Sequence, residues 1–321
     1  MDIRTGNVLL NRNVQLTRFL IEGLIRKNIT GIYVYDSLSS GVRASLSLPI
    51  ALRIKLAQSV NSLNIDDVCY LTSEMREELM AGDKIIKTNL EDLGNYDART
   101  YMHSTNVATY SGIIGLKMGY GIEELKNLMS AALLHDIGKE QIDPKIIRSK
   151  KKLSKEERAE INKHTIYGYE MVRDEYISAT IKVAILDHHE NWDGSGYPRG
   201  LEGEDIHKFA RIIHVADIYD AMISKRSYKE AVNPVEVLEY IQAHSYDYFE
   251  KEVVDIFLEN VQPYPEGTEV ILSTDEIAIV KENNMKYPSR PVVRYKNGKD
   301  VDLTETLNVT IKSVNNYSIG V

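Results

Sequence analysis

Apolar positions recur at helical spacing through the middle of this chain, and beyond Pro263 they give way to short β-rich runs cut by turns. In the middle, the helical pattern starts at Asp83 and passes through Ile85, Ile86, Leu90, Leu93, Tyr101, Met102, Val107, Ile113, Ile114 and Leu116, with one helix predicted to begin near Asn95. Gly119-Tyr120-Gly121 closes that segment, and Ile122 to Leu134 reads as the next helix. Ser154 with Glu157 is a capping-box signature for a helix running toward His164. Ile177 to His189 and Phe209 to Ile223 are further helices, and Pro234 opens two more that end near Val261.

The flanks read differently. Asn7 to Leu10 and Gly31 to Asp36 have strand character, Thr17 is a candidate N-cap for a helix through Lys27, and Ser37 to Ser45 reads as a loop. Leu48 to Ala81 is mostly helical with a break near Asn64. At the other end, Val270-Ile271-Leu272, Ile277 to Val280, Pro291 to Tyr295 and Val309-Thr310-Ile311 alternate with turns such as Asn297-Gly298. The expected architecture is multi-domain and mainly α. Residues 1–82 form an N-terminal α/β and helical module, 83–262 a central all-helical domain, and 263–321 a small C-terminal β module. No catalytic constellation falls in 1–82, which points to a regulatory, interaction or stabilising role.

Composition narrows the chemistry. A formal net charge of −8 over 321 residues argues against a nucleic-acid polymer as partner, while leaving room for a local basic pocket for one small phosphate ligand. Cys69 is the single cysteine, so no intramolecular disulfide is expected and any metal site must use nitrogen and oxygen donors. No apolar run approaches the roughly 20 residues that span a bilayer, and Met-Asp-Ile-Arg does not resemble a secretory signal. The expectation is a cytoplasmic protein without a membrane partner.

Against this background one stretch stands out: the apolar run Ala131 to Leu134 ends abruptly in His135-Asp136-Ile137-Gly138-Lys139. Such groups at the edge of a core are costly unless paired or bound to a cation. Taken alone, His135-Asp136 also fits a helix that merely ends in polar residues, with Gly138 as its stop signal. His103 alone, inside a helical pattern, fits a satisfied core histidine. His188-His189 at a helix end is harder to dismiss, because two adjacent imidazoles repel when both are protonated and a cation would hold both neutral. His103, His135, His164, His188 and His189, with Asp136 and Asp217, are too many donors for one tetrahedral zinc and suit two metal ions. Imidazole and carboxylate without thiolate favour iron or manganese, with zinc or nickel also compatible. The loop Asn191 to Gly200 adds Trp192, Tyr197 and Arg199, which stack on bases and fork around phosphates.

The order His103, His135-Asp136-x-Gly138-Lys139, His164, His188-His189-Glu190, Asp193-Gly194-x-Gly196-Tyr197-Pro198 and Asp217, over roughly residues 95 to 230, resembles the HD-GYP domain. That is a subclass of the HD metal-dependent phosphohydrolases that degrades cyclic di-GMP. The resemblance implies that His103, His135, Asp136 and Asp217 hold a first metal and His164, His188 and His189 a second, with Asp136 bridging. It implies that Lys139 contacts the scissile phosphate and that Tyr197, Arg226 and Lys229 hold the ligand's phosphates. A metal-activated hydroxide would then open cyclic di-GMP to linear pGpG, with GMP as a further product. Two positions depart from the pattern. Arg99 stands where some members carry a glutamate that helps hold a third metal, which points to a dinuclear site and slow second cleavage; Thr165 replaces a proline. Phosphodiesterase action on another cyclic dinucleotide, or a sensor that binds cyclic di-GMP without hydrolysis, are the alternatives. A homodimer or a signalling partner would engage the terminal modules.

Overall fold

A computed structural model describes residues 10–11, 14–26, 36, 38–42, 46–88, 96–149, 151–224 and 231–315. In chain order the elements are α1 (Arg18–Arg26), α2 (Ile50–Asn61), α3 (Ile65–Ala81), β1 (Ile86–Lys87), α4 (Tyr96–Lys117), α5 (Ile122–Leu134), a 3-10 turn at Ile137–Gln141, α6 (Pro144–Ile147), α7 (Lys155–Asn162), α8 (His164–Val172), α9 (Ala179–Asp187), α10 (Lys208–Ile223), α11 (Pro234–Ala243) and α12 (Lys251–Asn260). Then follow β2 (Val261–Gln262), β3 (Glu269–Leu272), β4 (Ile277–Glu282), β5 (Val292–Tyr295), β6 (Asp300–Asp302) and β7 (Ile311–Val314). The chain is thus mainly helical with a C-terminal antiparallel sheet, as its periodicity predicts. Of the expected strands over Asn7 to Leu10 and Gly31 to Asp36, all but Leu10 and Asp36 lie outside the described residues.

Helix boundaries follow local chemistry. Asn64 accepts from the Asp67 N–H and starts α3, which is the break seen near that residue. Ser154 and Glu157 cap α7 reciprocally, and Asn233 caps α11 ahead of Pro234. α5 is apolar on almost every side: Leu125 and Leu128 through Leu134 are buried, so it runs through the centre of the body. α10 is its counterpart, buried from Ile212 through Asp217 and at Tyr219 and Asp220. One continuous core joins Leu52, Leu56 and Val60 of α2 and Val68 and Met75 of α3 to α4, α5, α9, α10 and α12. The packing therefore runs without interruption across residue 82.

One expectation is corrected. The helical spacing from Asp83 does not make a helix at Ile85-Ile86: Ile86 and Lys87 form a strand that pairs in parallel with Val261 and Gln262. Ile86 is fully buried there, and Thr88 bonds both the Gln262 carbonyl and the Tyr219 hydroxyl of α10. Two apolar residues followed by charge fit either period over so short a run, and the tertiary partner decides.

The C-terminal sheet has the order β6-β5-β4-β3-β7 and closes its own small core, in which Val270 and Leu272 alternate with outward residues and meet Ala278, Val280, Val293 and Ile311. Val309, expected in a strand, falls just before β7, and β6 is a strand that the apolar pattern missed. Asn233 docks the sheet on α11, donating to the Lys312 carbonyl and accepting from the Tyr264 hydroxyl. Among the described residues no helix is long and apolar enough to cross a membrane.

Candidate metal centre

Three helices end at the same place. The last carbonyls of any α-helix lack intrahelical partners. Here an imidazole fills that role at each end: His135 Nδ1–H donates to the Ala132 carbonyl at 2.7 Å, His164 Nδ1–H to Ile161 at 2.8 Å, and His188 Nδ1–H to Ile185 at 2.8 Å. Each bond fixes the tautomer and leaves Nε2 as a lone pair directed away from the helix. The three lone pairs converge. His164 Nε2 and His188 Nε2 are 3.2 Å apart, and His164 Nε2 lies 3.4 Å and His135 Nε2 3.3 Å from the Asp136 carboxylate.

His103 reaches the same point from two turns inside α4. Its Nε2 faces Asp217 Oδ1 at 3.0 Å and Asp136 Oδ2 at 3.8 Å, while Nδ1 bonds Asp220 Oδ2 at 2.7 Å. Asp217 Oδ1 is also 3.9 Å from His135 Nε2, and its Oδ2 is 3.9 Å from His189 Nδ1. The donors fall into two groups, each with its atoms within 4.8 Å of one another: Asp136 with His164, His188 and His189, and Asp136 with His103 and His135. Asp136 belongs to both. Lys139, one 3-10 turn on, places its ammonium against Asp136 Oδ2.

Electrostatics match the geometry. Burial and neighbouring imidazoles hold His188 well below the ordinary histidine range; burial does the same for His189, and it lowers His164 to about 4. Burial pushes the Asp136 carboxyl up, but Lys139 and His135 outweigh it and hold the group well below the carboxylate range. Burial likewise opposes charge on His103, yet its bonds to Asp217 and Asp220 win and push it up to about 9.

Buried imidazoles, three of them (His164, His188 and His189) held below the ordinary histidine range, form with the Asp136 and Asp217 carboxylates a donor set for a divalent cation, and three of its atoms, Asp136 Oδ1, His103 Nε2 and His135 Nε2, are buried with no hydrogen-bond partner. These residues fit a metal. Cys69, the chain's one thiol, belongs to α3 and to neither donor group.

Gly138 reveals a role that helix-stop reasoning misses. A Cβ there would lie 2.0 Å from the His164 carbonyl oxygen and 2.4 Å from the Gly168 nitrogen, so the glycine lets the 3-10 turn lie directly on α8.

The loop after His189 closes one side. Tyr197 stacks on the His189 ring at 4.9 Å, and its N–H donates to the His189 carbonyl. Glu190, buried, accepts from the backbone N–H groups of Arg199, Gly200 and Leu201 at 2.6, 3.1 and 3.1 Å. Arg199 forks onto buried Asp187 rather than facing the donors. Glu190→Ala is expected to leave those three N–H groups unpaired, at about 1–3 kcal/mol for each that stays dry. Faster hydrogen exchange confined to residues 193–201 is the readout; unchanged protection there would remove Glu190 from this role.

Of the residues singled out from sequence, His103, His135, Asp136, Lys139, His164, His188, His189, Tyr197 and Asp217 come together. Arg226 and Lys229 lie outside the described residues, as does the Arg99 side chain. Asp220, Asn191 and Glu190 carry contacts that motif reading left unassigned. Asn191 Oδ1 meets His214 Nε2 at 3.0 Å, so His214, on the same face of α10 as Asp217, braces the turn behind His189. The i, i+3 spacing of Asp217 and Asp220 was the available signal.

The profile of the HD domain family matches residues 82–253. Among curated proteins, the chain is 33% identical over 223 residues to the cyclic di-GMP phosphodiesterase PdeB of Borreliella burgdorferi, covering 68% of this chain and 58% of that protein. It is 35% identical over 163 residues to 3'3'-cGAMP-specific phosphodiesterase 2 of Vibrio cholerae, covering 50% of this chain and 31% of that one. The chain thus spans only part of the length of these relatives. Among solved structures, Bd1817, an HDG"Y"P protein from Bdellovibrio bacteriovorus, superposes with a TM-score of 0.53 over 64% of this chain and 69% of that one, at 20% identity, a likeness of fold.

Proposed function

Because the chain belongs to the HD domain family, we propose that it is a metal-dependent phosphodiesterase that hydrolyses a cyclic dinucleotide, with cyclic di-GMP the leading substrate. The observation that carries this reading is the position of Asp136, a buried carboxylate common to two donor groups. Curated relatives named for cyclic di-GMP and for 3'3'-cGAMP support the substrate class. On this reading His103, His135, Asp136 and Asp217 hold one divalent ion and His164, His188 and His189 the other, with Asp136 between them. Iron or manganese suits the donors best. When bound, such a pair supplies Lewis acidity that lowers the pKa of water toward about 7 and neutralises charge on a phosphoryl group.

The chain's own residues do the rest. The anchored Nδ1–H bonds keep the imidazoles from reorganising as charge develops. Lys139, already beside Asp136, offers an ammonium to a phosphate oxygen of the scissile diester. Tyr197, held flat on His189, keeps a neutral hydroxyl, because burial pushes its pKa up, and so can donate to phosphate. Arg226 and Lys229 complete the phosphate contacts. No side-chain nucleophile is required. A cytoplasmic location and engagement of a second copy or a signalling protein through the terminal segments belong to the same proposal.

Metal-reconstituted protein with cyclic di-GMP, 3'3'-cGAMP and a linear dinucleotide, followed by chromatography, tests this reading. We expect cyclic di-GMP to be consumed and linear pGpG to appear before GMP, since Arg99, four residues before His103 in the sequence, replaces the glutamate that in some HD-GYP members helps hold a third metal. Intact cyclic dinucleotides with a fully loaded site would overturn the enzymatic assignment in favour of a binding sensor. Consumption of 3'3'-cGAMP alone would move the assignment to that substrate, and GMP without transient pGpG would give Arg99 a role in the second cleavage.

A further inference from the structure

The family match begins at residue 82, yet α2, at Ile50–Asn61, sends a buried side chain into the bracing of the centre. Arg53 is 5% exposed and its Nη2 donates to Asn106 Oδ1 at 3.2 Å. Asn106, on α4 and 7% exposed, turns its other end to α10, where Nδ2 donates to Asp220 Oδ1 at 3.0 Å. Asp220 is fully buried, and its second oxygen, Oδ2, accepts from His103 Nδ1 at 2.7 Å.

The polarity of this chain of contacts is set at both ends. A cation faces the amide oxygen of Asn106 and an anion faces its nitrogen, so a flipped amide would meet repulsion on both sides. With the amide fixed, Asp220 is held in one orientation, and with Asp220 fixed, the His103 ring keeps Nδ1–H outward and Nε2 toward Asp136 and Asp217. A buried arginine and a buried aspartate are each costly unless satisfied, and the Asn106 amide bonds both. A polar residue placed between them is therefore built for the purpose.

We propose that Arg53 is a positioning residue for the metal position that includes His103, acting through Asn106 and Asp220, so that the segment ahead of the HD domain sets the metal affinity of that position. The proposal rests on His103 being a ligand, and the test separates the two ideas. Metal-stripped full-length protein is titrated with Mn2+, free Mn2+ is followed by electron paramagnetic resonance, and folding is checked by circular dichroism.

His103→Ala is the control and removes one of the bound ions; an unchanged isotherm for it overturns the ligand reading and the proposal with it. Given that control, Arg53→Met and Asn106→Ala each weaken the same position by about tenfold, the scale typical of losing an outer contact to a metal ligand. Combining them costs no more than either alone, and Arg53→Lys, which keeps a buried cationic donor, stays close to the unaltered chain. An unchanged isotherm for folded Arg53→Met or Asn106→Ala overturns the proposal, as does a double variant whose loss is the product of the singles. Should Arg53→Met fail to fold, Asn106→Ala decides alone, because it breaks the link while leaving the cation in place.

Discussion

Asp136→Asn is expected to empty both metal positions and to reduce turnover by at least about three orders of magnitude, or ~4 kcal/mol at 1.36 kcal/mol per decade. No other side chain belongs to both donor groups among the described residues. Its carboxylate lies 3.3 Å from His135, 3.4 Å from His164 and 3.8 Å from His103. An amide of the same shape loses the charge and offers one oxygen where the carboxylate offers two. It also aims an NH2 group either at imidazole lone pairs, occupying the electrons a metal needs, or at the Lys139 ammonium, where attraction becomes repulsion. The fold should survive, because the change is isosteric. Elemental analysis of the purified variant with a hydrolysis assay checks this. Near-normal metal content would show that the two groups are held independently of Asp136.

Gly138→Ala is the second large effect, and it acts through sterics rather than charge. The new methyl would sit 2.0 Å from a backbone carbonyl and 2.4 Å from a backbone nitrogen, neither of which can rotate away as a side chain would. Overpacking that flexible side chains can absorb costs about 1–3 kcal/mol, and a backbone contact this close belongs at or above the top of that range. Relief requires the 3-10 turn to separate from α8. That movement pulls Asp136 and Lys139 away from His164, so metal loss should accompany the fall in melting temperature. Calorimetry with and without added Mn2+ measures both. A variant as stable as the parent and equally well loaded would mean that the turn and α8 do not pack as described.

How far the chain could be read in advance depended on how local the determinants were. α5 was legible almost to the residue, because its apolar run is bounded by Gly119-Tyr120-Gly121 and by His135-Asp136. β1 was not, since Ile85-Ile86 suits either period and only Val261, far away in sequence, makes it a strand. β6 escaped for a different reason: Asp300-Val301-Asp302 looks like a turn, and its pairing is supported by Arg294 and Lys281 salt-bridged to Asp300. In the site, His135, His164 and His188 announce themselves because each follows a helix end. His103 does not, being an interior residue whose partners Asp217 and Asp220 lie on another helix; alone it reads as a core histidine, and only its company with the other histidines and the resemblance raise it to a candidate ligand. Contacts such as Arg53 with Asn106 depend on packing between separate helices, which no single-chain pattern records.

The parallel pair β1–β2 has a mechanical meaning. The chain leaves α3 toward α4 along Ile86-Lys87 and leaves α12 along Val261-Gln262 in the same direction, side by side. A pull on the flanking segments in opposite directions therefore loads the pair in shear, so its bonds strain together rather than unzip one at a time. Thr88 adds a bolt, bonding Gln262 and, through Tyr219, the same helix that carries Asp217 and Asp220. Shear across this pair is thus resisted by bonds that are tied directly to the helix holding Asp217 and Asp220.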